Sequence, residues 1–415
     1  MNSLYSDDRV NEKDDLVITV FVLSLFCLGM NVYTVVYPIF KAGIMFGFAG
    51  MFLHFSCGAR LIKYNLIVQC FIFLFFVWLF FGVLSSALNI DDDGRVLLLS
   101  LRYTVMLLLF IFISLIEKPV GYLFFRRYSQ VMYYISLASL ISFALNSFNI
   151  TSSTELGLVD GRIYQSTFFN VYMSAVKFGE FTLTRFQSIF YEPGTYAFAL
   201  LPVIYWYKFV EYKPFKFATL LFMLFLTFSV GAILTIIIVF FVFYFIRNPV
   251  RFIPYSLVFT GVFLLSLSIF PLFSDFLANK FGFGIYQGTH TSGGTRVEEL
   301  RYVGESLTTT LGSGFAGLLN VETSEGNISV GLFQMVIYTG FFGAMALGVL
   351  HAILLSYSFK KLACKGRCSI FIGFTLLSFI SMGLQRGTFM DGVLLMIIFS
   401  FLVRLGSDTY ESIQR

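Results

Sequence analysis

The stretch from Arg185 to Tyr196 sets an arginine, a glutamate and a Pro-Gly step at the mouth of an apolar run. A guanidinium offers a planar fork of donors matched to phosphate oxygens. A helix opened by Pro193 turns unpaired N–H groups and a positive dipole end toward an anion. Arg185, Glu192, Gly194 and Tyr196 are therefore candidates for a phosphate pocket, with an Arg185–Glu192 pair that only anchors the loop as the competing reading. A second polar stretch, Gly288 to Arg301, holds His290, a Gly293-Gly294 entry and Thr295 as a plausible N-cap. Arg296 and Arg301 within it fall on one broad helical face and together suit a pyrophosphate, each bidentate. Glu298 and Glu299 could instead neutralise them. Glu322 and Glu325, before the next apolar run, are placed to accept a proton from a hydroxyl. Arg162 and Arg386 complete the set, Arg386 with Asp391 as an alternative partner.

The elements that must position these groups are membrane spans. The chain has 415 residues, 58% hydrophobic and only 12% charged, with a mean hydropathy of +0.84. A soluble domain carries about 25% charged residues. The apolar runs are near the ~20 residues a helix needs to cross a bilayer and lack the alternation of barrel strands. An all-α polytopic protein is expected, with residues 1–415 forming one integral membrane domain. Twelve spans are read at 16–34, 40–57, 66–88, 96–116, 131–149, 194–209, 216–229, 231–246, 252–272, 329–356, 368–384 and 391–405. The lipid bilayer is thus the first partner. The polar first residues, through Asp14 and Asp15, do not resemble a cleavable signal.

Orientation follows from the basic residues. With both termini cytoplasmic, short inward loops collect Arg60, Lys63, Arg126, Arg127, Lys213, Arg247, Lys360 and Lys361, as the positive-inside bias requires. Two long loops, 150–193 and 273–328, then face outward, and long loops in compact proteins are often functional. Arg162, Arg185, Arg296, Arg301 and Arg386 gather on that outward face, against the bias. A lipid-linked anion presented from the outer leaflet is a simple explanation. Ionisable groups kept beside hydrocarbon usually serve a function.

Other features read more plainly. Gly312, Gly314 and Gly317 allow close backbone approach; no P-loop Lys-Ser/Thr follows them, so tight packing is expected rather than nucleotide binding. Cys364 and Cys368 lack two further ligands for zinc, and all five cysteines are read as reduced thiols. His290 is the one outward histidine.

Taken together, the layout and the Phe190-Tyr-Glu-Pro-Gly194 core resemble O-antigen polymerases of the Wzy type. Arg301 and Gly312 have the arginine-to-glycine spacing common in that family's long loops; Arg185 and Gly194 lie closer together than the pattern. The resemblance implies a GT-C-like fold and a metal-independent glycosyltransferase without a cofactor. It would join oligosaccharide repeats carried on undecaprenyl diphosphate into O-antigen polysaccharide, part of lipopolysaccharide biosynthesis, at the periplasmic face of the bacterial inner membrane. Arg185, Arg296 and Arg301 would hold the diphosphate, with Glu192 or Glu325 as base. Arg162, Arg386, Gly194, Tyr196 and His290 would contact substrate. A chain-length regulator is a conceivable partner and nucleic acid is not. Two other readings stay open: a flippase for the same lipid-linked oligosaccharide, and an O-antigen ligase, whose usual histidine is missing from 321–327.

Overall fold

The computed structural model describes residues 11–26, 41–56, 66–89, 93–116, 120–148, 150–159, 162–167, 170–172, 175–178, 181–190, 192–269, 278, 292–315, 330–383, 385 and 393–414. Its helices are α1 (Glu12–Ser24), α2 (Lys41–Ser56), α3 (Leu66–Leu88), α4 (Asp93–Leu115), α5 (Val120–Ser147), α6 (Pro193–Tyr205), α7 (Pro214–Leu226), α8 (Val230–Arg247), α9 (Pro249–Ile269), α10 (Ser292–Leu307), α11 (Gly331–Ala363), α12 (Arg367–Gly383) and α13 (Val393–Gln414). Among the described residues, five are long and apolar enough to cross a membrane: α3, α4 from Val96, α5, α8 and α11. Helices α7 and α12, with Phe46–Ser56 and Val393–Gly406, are apolar but shorter. The chain is therefore predominantly helical and built for a bilayer. Each of the twelve expected segments overlaps one of these helices.

The bundle is apolar outside as well as inside. Phe73, Phe76 and Phe80 on α3 and Leu97, Leu98 and Leu101 on α4 are all exposed, a surface that lipid, not water, would cover. Inside, aromatic rings do most of the packing. Phe124 of α5 stacks on Phe401 of α13 with centroids 3.9 Å apart, and Phe374 of α12 meets Phe209, Phe240 and Phe243.

Polar contacts sort into two ends. At one, Asp14 meets His54 at 2.7 Å, Arg127 grips Asp15 through Nε at 2.9 Å and through a second nitrogen, and Arg247 donates to Leu362 O at 3.1 Å and to Cys364 O. At the other end lie Asn89, the 185–192 segment, the 227–229 turn, the 309–315 loop and Gln385. The sequence reading placed Arg126 and Arg127 in a loop before a span at 131. The helix instead starts at Val120, and Arg127, held by Asp15, is part of it.

The first long connection is not all irregular. It forms β1 (Thr154–Val159), β2 (Arg162–Thr167) and β3 (Asn170–Tyr172) in an antiparallel sheet, and β4 (Ala175–Phe178) with β5 (Phe181–Thr184) as a hairpin. Register pairs Val159 with Arg162 and Phe178 with Phe181. The sequence between the paired ends is Asp160-Gly161 for β1–β2, Phe168-Phe169 for β2–β3 and Gly179-Glu180 for β4–β5, so two of the three connections carry the glycine that short hairpin loops favour. The inner strand reaches the bundle: Val171 N donates to Ser188 O at 2.8 Å.

Candidate functional site at the loop end of the bundle

The Arg185–Glu192 segment is a buried plug. Phe186, Gln187, Ser188, Ile189 and Phe190 are all buried. Ser188 sits at φ 53°, a left-handed conformation costly for a residue with a Cβ. Its hydroxyl meets Ser139 Oγ at 2.7 Å, and Gln187 Nε2 donates to Phe190 O at 3.0 Å. Arg185, at the edge of the plug, is half-buried. Its Nε donates to Thr227 O at 2.8 Å and a terminal nitrogen to Phe228 O at 3.4 Å. Those carbonyls close the C-terminal end of α7, where a cation complements the helix dipole and fills unused acceptors. Arg185 thus ties the first long connection to the α7–α8 turn.

Glu192 occupies the N-cap of α6 with extended backbone and makes no side-chain cap bond, while Pro193 takes the first turn. Gly194 and Tyr196 are buried. Tyr196 lies between Phe186, at 5.4 Å and edge-on, and Phe190, at 5.5 Å. Its surroundings are those of a packing residue. Beyond the turn, Gly231 leaves room for Gln385, whose Nε2 bonds Ser381 Oγ at 3.1 Å and Thr235 Oγ1 at 3.3 Å. Arg185 therefore holds the end of α7, and Gln385 the start of α8, across one short turn.

The second constellation forms where α11 breaks. Gly340 has φ 60° and ψ −151°, splitting a short first helix from the part that continues to Ala363. The stretch from Phe341 to Ala363 is long enough to span by itself. A break frees backbone groups that must find partners away from water, and the 309–315 loop supplies them. Ser313 N donates to Ile337 O at 2.9 Å, Gly314 N to Tyr338 O at 3.1 Å, and Phe341 N to Thr309 O at 3.1 Å. Helix α3 closes the arrangement: Ser85 Oγ and, at 3.1 Å, Asn89 Nδ2 donate to Gly312 O. Phe315 N donates to Ser86 Oγ at 2.7 Å, and the Phe315 ring fills the space over Gly82, against Trp78, Tyr103 and Tyr338. The tight packing expected of Gly312 and Gly314 is this clasp.

Beside it opens a cleft of about 340 Å³, lined by Asn89, Tyr302, Glu305, Ser306, Thr309, Leu311, Gly312, Ser313 and Ile337. Small-molecule sites run from about 300 to 1,000 Å³, so the space is of binding size, and amide, hydroxyl and carboxylate groups share its wall with the apolar Leu311 and Ile337. Arg301, one turn before Glu305 on α10, bonds it through Nε at 3.0 Å, both side chains largely exposed. Two residues earlier, Glu299 is fully buried; α10 has one face on the bundle and Arg301 on the other.

Of the residues singled out in the sequence, Arg185, Glu192, Gly194 and Tyr196 come together at the plug, and Arg301 stands at the rim of the cleft. Arg162 lies on β2 and Arg296 on α10, with side chains outside the described residues; His290, Glu325 and Arg386 lie wholly outside them. Asn89, Tyr302, Glu305, Ser306 and Thr309 were not anticipated. The one sequence signal for them is the Arg301–Glu305 spacing, which stacks two opposite charges on a helix. Comparison with known families finds no family model that matches this chain, and comparison with curated proteins finds none similar to it.

Proposed function

We propose that this chain is a metal-independent membrane glycosyltransferase of the O-antigen polymerase type, GT-C-like in fold. It would extend polysaccharide from undecaprenyl-diphosphate-linked repeats at the outward face of a bacterial inner membrane, with the growing chain leaving its lipid carrier for the end of a new repeat. Departure of a diphosphate needs preorganised positive charge, and Arg296 and Arg301 on α10 are the proposed source. The observation that supports the reading most is the cleft beside Arg301, walled by hydroxyls, an amide and a carboxylate as well as apolar groups, opening at the broken helix α11 of an otherwise apolar bundle. Arg185 enters this account as a positioning residue, because two of its nitrogens hold the α7–α8 turn.

The test is reconstitution. Purified protein in liposomes, given undecaprenyl-diphosphate-linked single repeats, a chelator and no nucleotide sugar, should convert them to longer lipid-linked chains. Repeats that stay single would overturn the proposal.

A further inference from the structure

The sequence reading looked for a base at Glu192 or Glu325. Glu192 caps α6 beside the buried plug. A different carboxylate faces a binding space. Glu305 lines the cleft, and Arg301 holds only its Oε1; Oε2 has no protein partner among the described residues. The surrounding groups are chemically of one kind. Ser306, Thr309 and Ser313 bring hydroxyls, Tyr302 an aromatic ring with a phenol, and Asn89 an amide already held by Ser85 O at 2.9 Å and Gly312 O at 3.1 Å. Short hydroxyls, a fixed amide and an aromatic face, with a single carboxylate, match the hydroxyl-rich and partly apolar surface of a sugar ring. The floor of the cleft is the Gly312–Ile337 clasp, so the space is backed by rigid backbone and not by a loose loop.

We propose that this cleft is the acceptor-saccharide subsite, and that Glu305 is the group that takes the acceptor hydroxyl's proton. In the step, the acceptor oxygen bonds to the anomeric carbon of the lipid-linked donor. The bond from that carbon to the diphosphate oxygen breaks, and its electron pair leaves with the diphosphate. The hydroxyl proton passes to the free Glu305 oxygen. Arg301 fixes the carboxylate and stands on the side where the leaving charge develops. This assignment rests on the polymerase reading for its chemistry, but the saccharide subsite does not.

Two measurements separate those parts. In a strain carrying only the variant chain, Glu305→Gln should cut polymer formation at least ~100-fold, the scale of a lost general base. Membrane level and melting temperature should stay unchanged, because the amide oxygen of the substituted side chain can still accept from Arg301 on an exposed helix face. Glu305→Asp should recover part of the activity. In purified protein, single repeats released by mild acid from the strain's own surface polysaccharide should bind wild type and Glu305→Gln within a few-fold of each other. Ser306→Trp, which fills the cleft, should abolish that binding. Wild-type polymer from Glu305→Gln overturns the role of Glu305. Undiminished binding to Ser306→Trp overturns the subsite. Should deleting the whole chain leave surface polysaccharide unchanged, the polymerase reading and the base role fail, and the binding comparison still decides the subsite.

Discussion

Gly312 and Gly340 are each held to glycine by the backbone of the other's segment. A Cβ on Gly312 would lie 2.5 Å from Gly340 N and 2.7 Å from Thr339 N; one on Gly340 would lie 2.7 Å from Leu311 C and press on Gly312 N. The two backbones touch where a membrane helix breaks, and the cleft opens directly beside that contact.

Alanine at either position is the first prediction. Gly312→Ala must separate two backbones, and Gly340→Ala adds a backbone penalty of ~1–3 kcal/mol at φ 60° and ψ −151°. Both should lower the melting temperature in detergent and weaken saccharide binding, Gly340→Ala the more because φ 60° with ψ −151° is a region essentially reserved for glycine. Gly348, on the same helix, has open space where a Cβ would go. Gly348→Ala should leave stability unchanged or raise it by ~0.4–1 kcal/mol. Equal effects at all three positions would contradict the clasp.

Arg185 supports the second prediction. Charge-assisted hydrogen bonds contribute ~1.5–3 kcal/mol, and this guanidinium makes two to carbonyls of the 227–228 turn. Arg185→Ala should lose stability on that scale, read as thermal unfolding of the purified protein. Arg185→Lys should recover only part, since an ammonium cannot fork across both oxygens. If either variant lost activity while melting like wild type, Arg185 would be a substrate ligand and not a brace.

A third prediction concerns the opposite end. The hydrogen bonds from Arg127 hold the Asp15 carboxyl below its ordinary value. A carboxylate with a lowered folded pKa adds stability that is complete above the unfolded value, about 3.9, and is lost as pH falls through the folded one. The melting difference between wild type and Asp15→Asn should therefore be constant from pH 7 to 5 and shrink below pH 4. A difference that grew on acidification would contradict the pairing.

The helices were legible because bilayer-length apolar runs leave little choice; the strands were not, because the first long connection read as an outward loop of an all-α chain. The break at Gly340 was not legible. Thr339-Gly-Phe341 reads as ordinary span, and its left-handed backbone depends on Gly312, remote in sequence. The same distance hid the cleft: Asn89 ends one helix, Glu305 belongs to another and Ile337 to a third. The arginines stood out by charge alone, yet charge says nothing about partners: nothing in the sequence pointed from Arg185 to the carbonyls of Thr227 and Phe228.

Surface polysaccharide from a strain lacking this chain, resolved by length on a gel, tests the central proposal most directly. The account predicts that the ladder of long chains collapses to a surface capped with single repeats, and that the intact gene restores it. An unchanged ladder, or complete loss of single repeats as from a missing flippase, would contradict it.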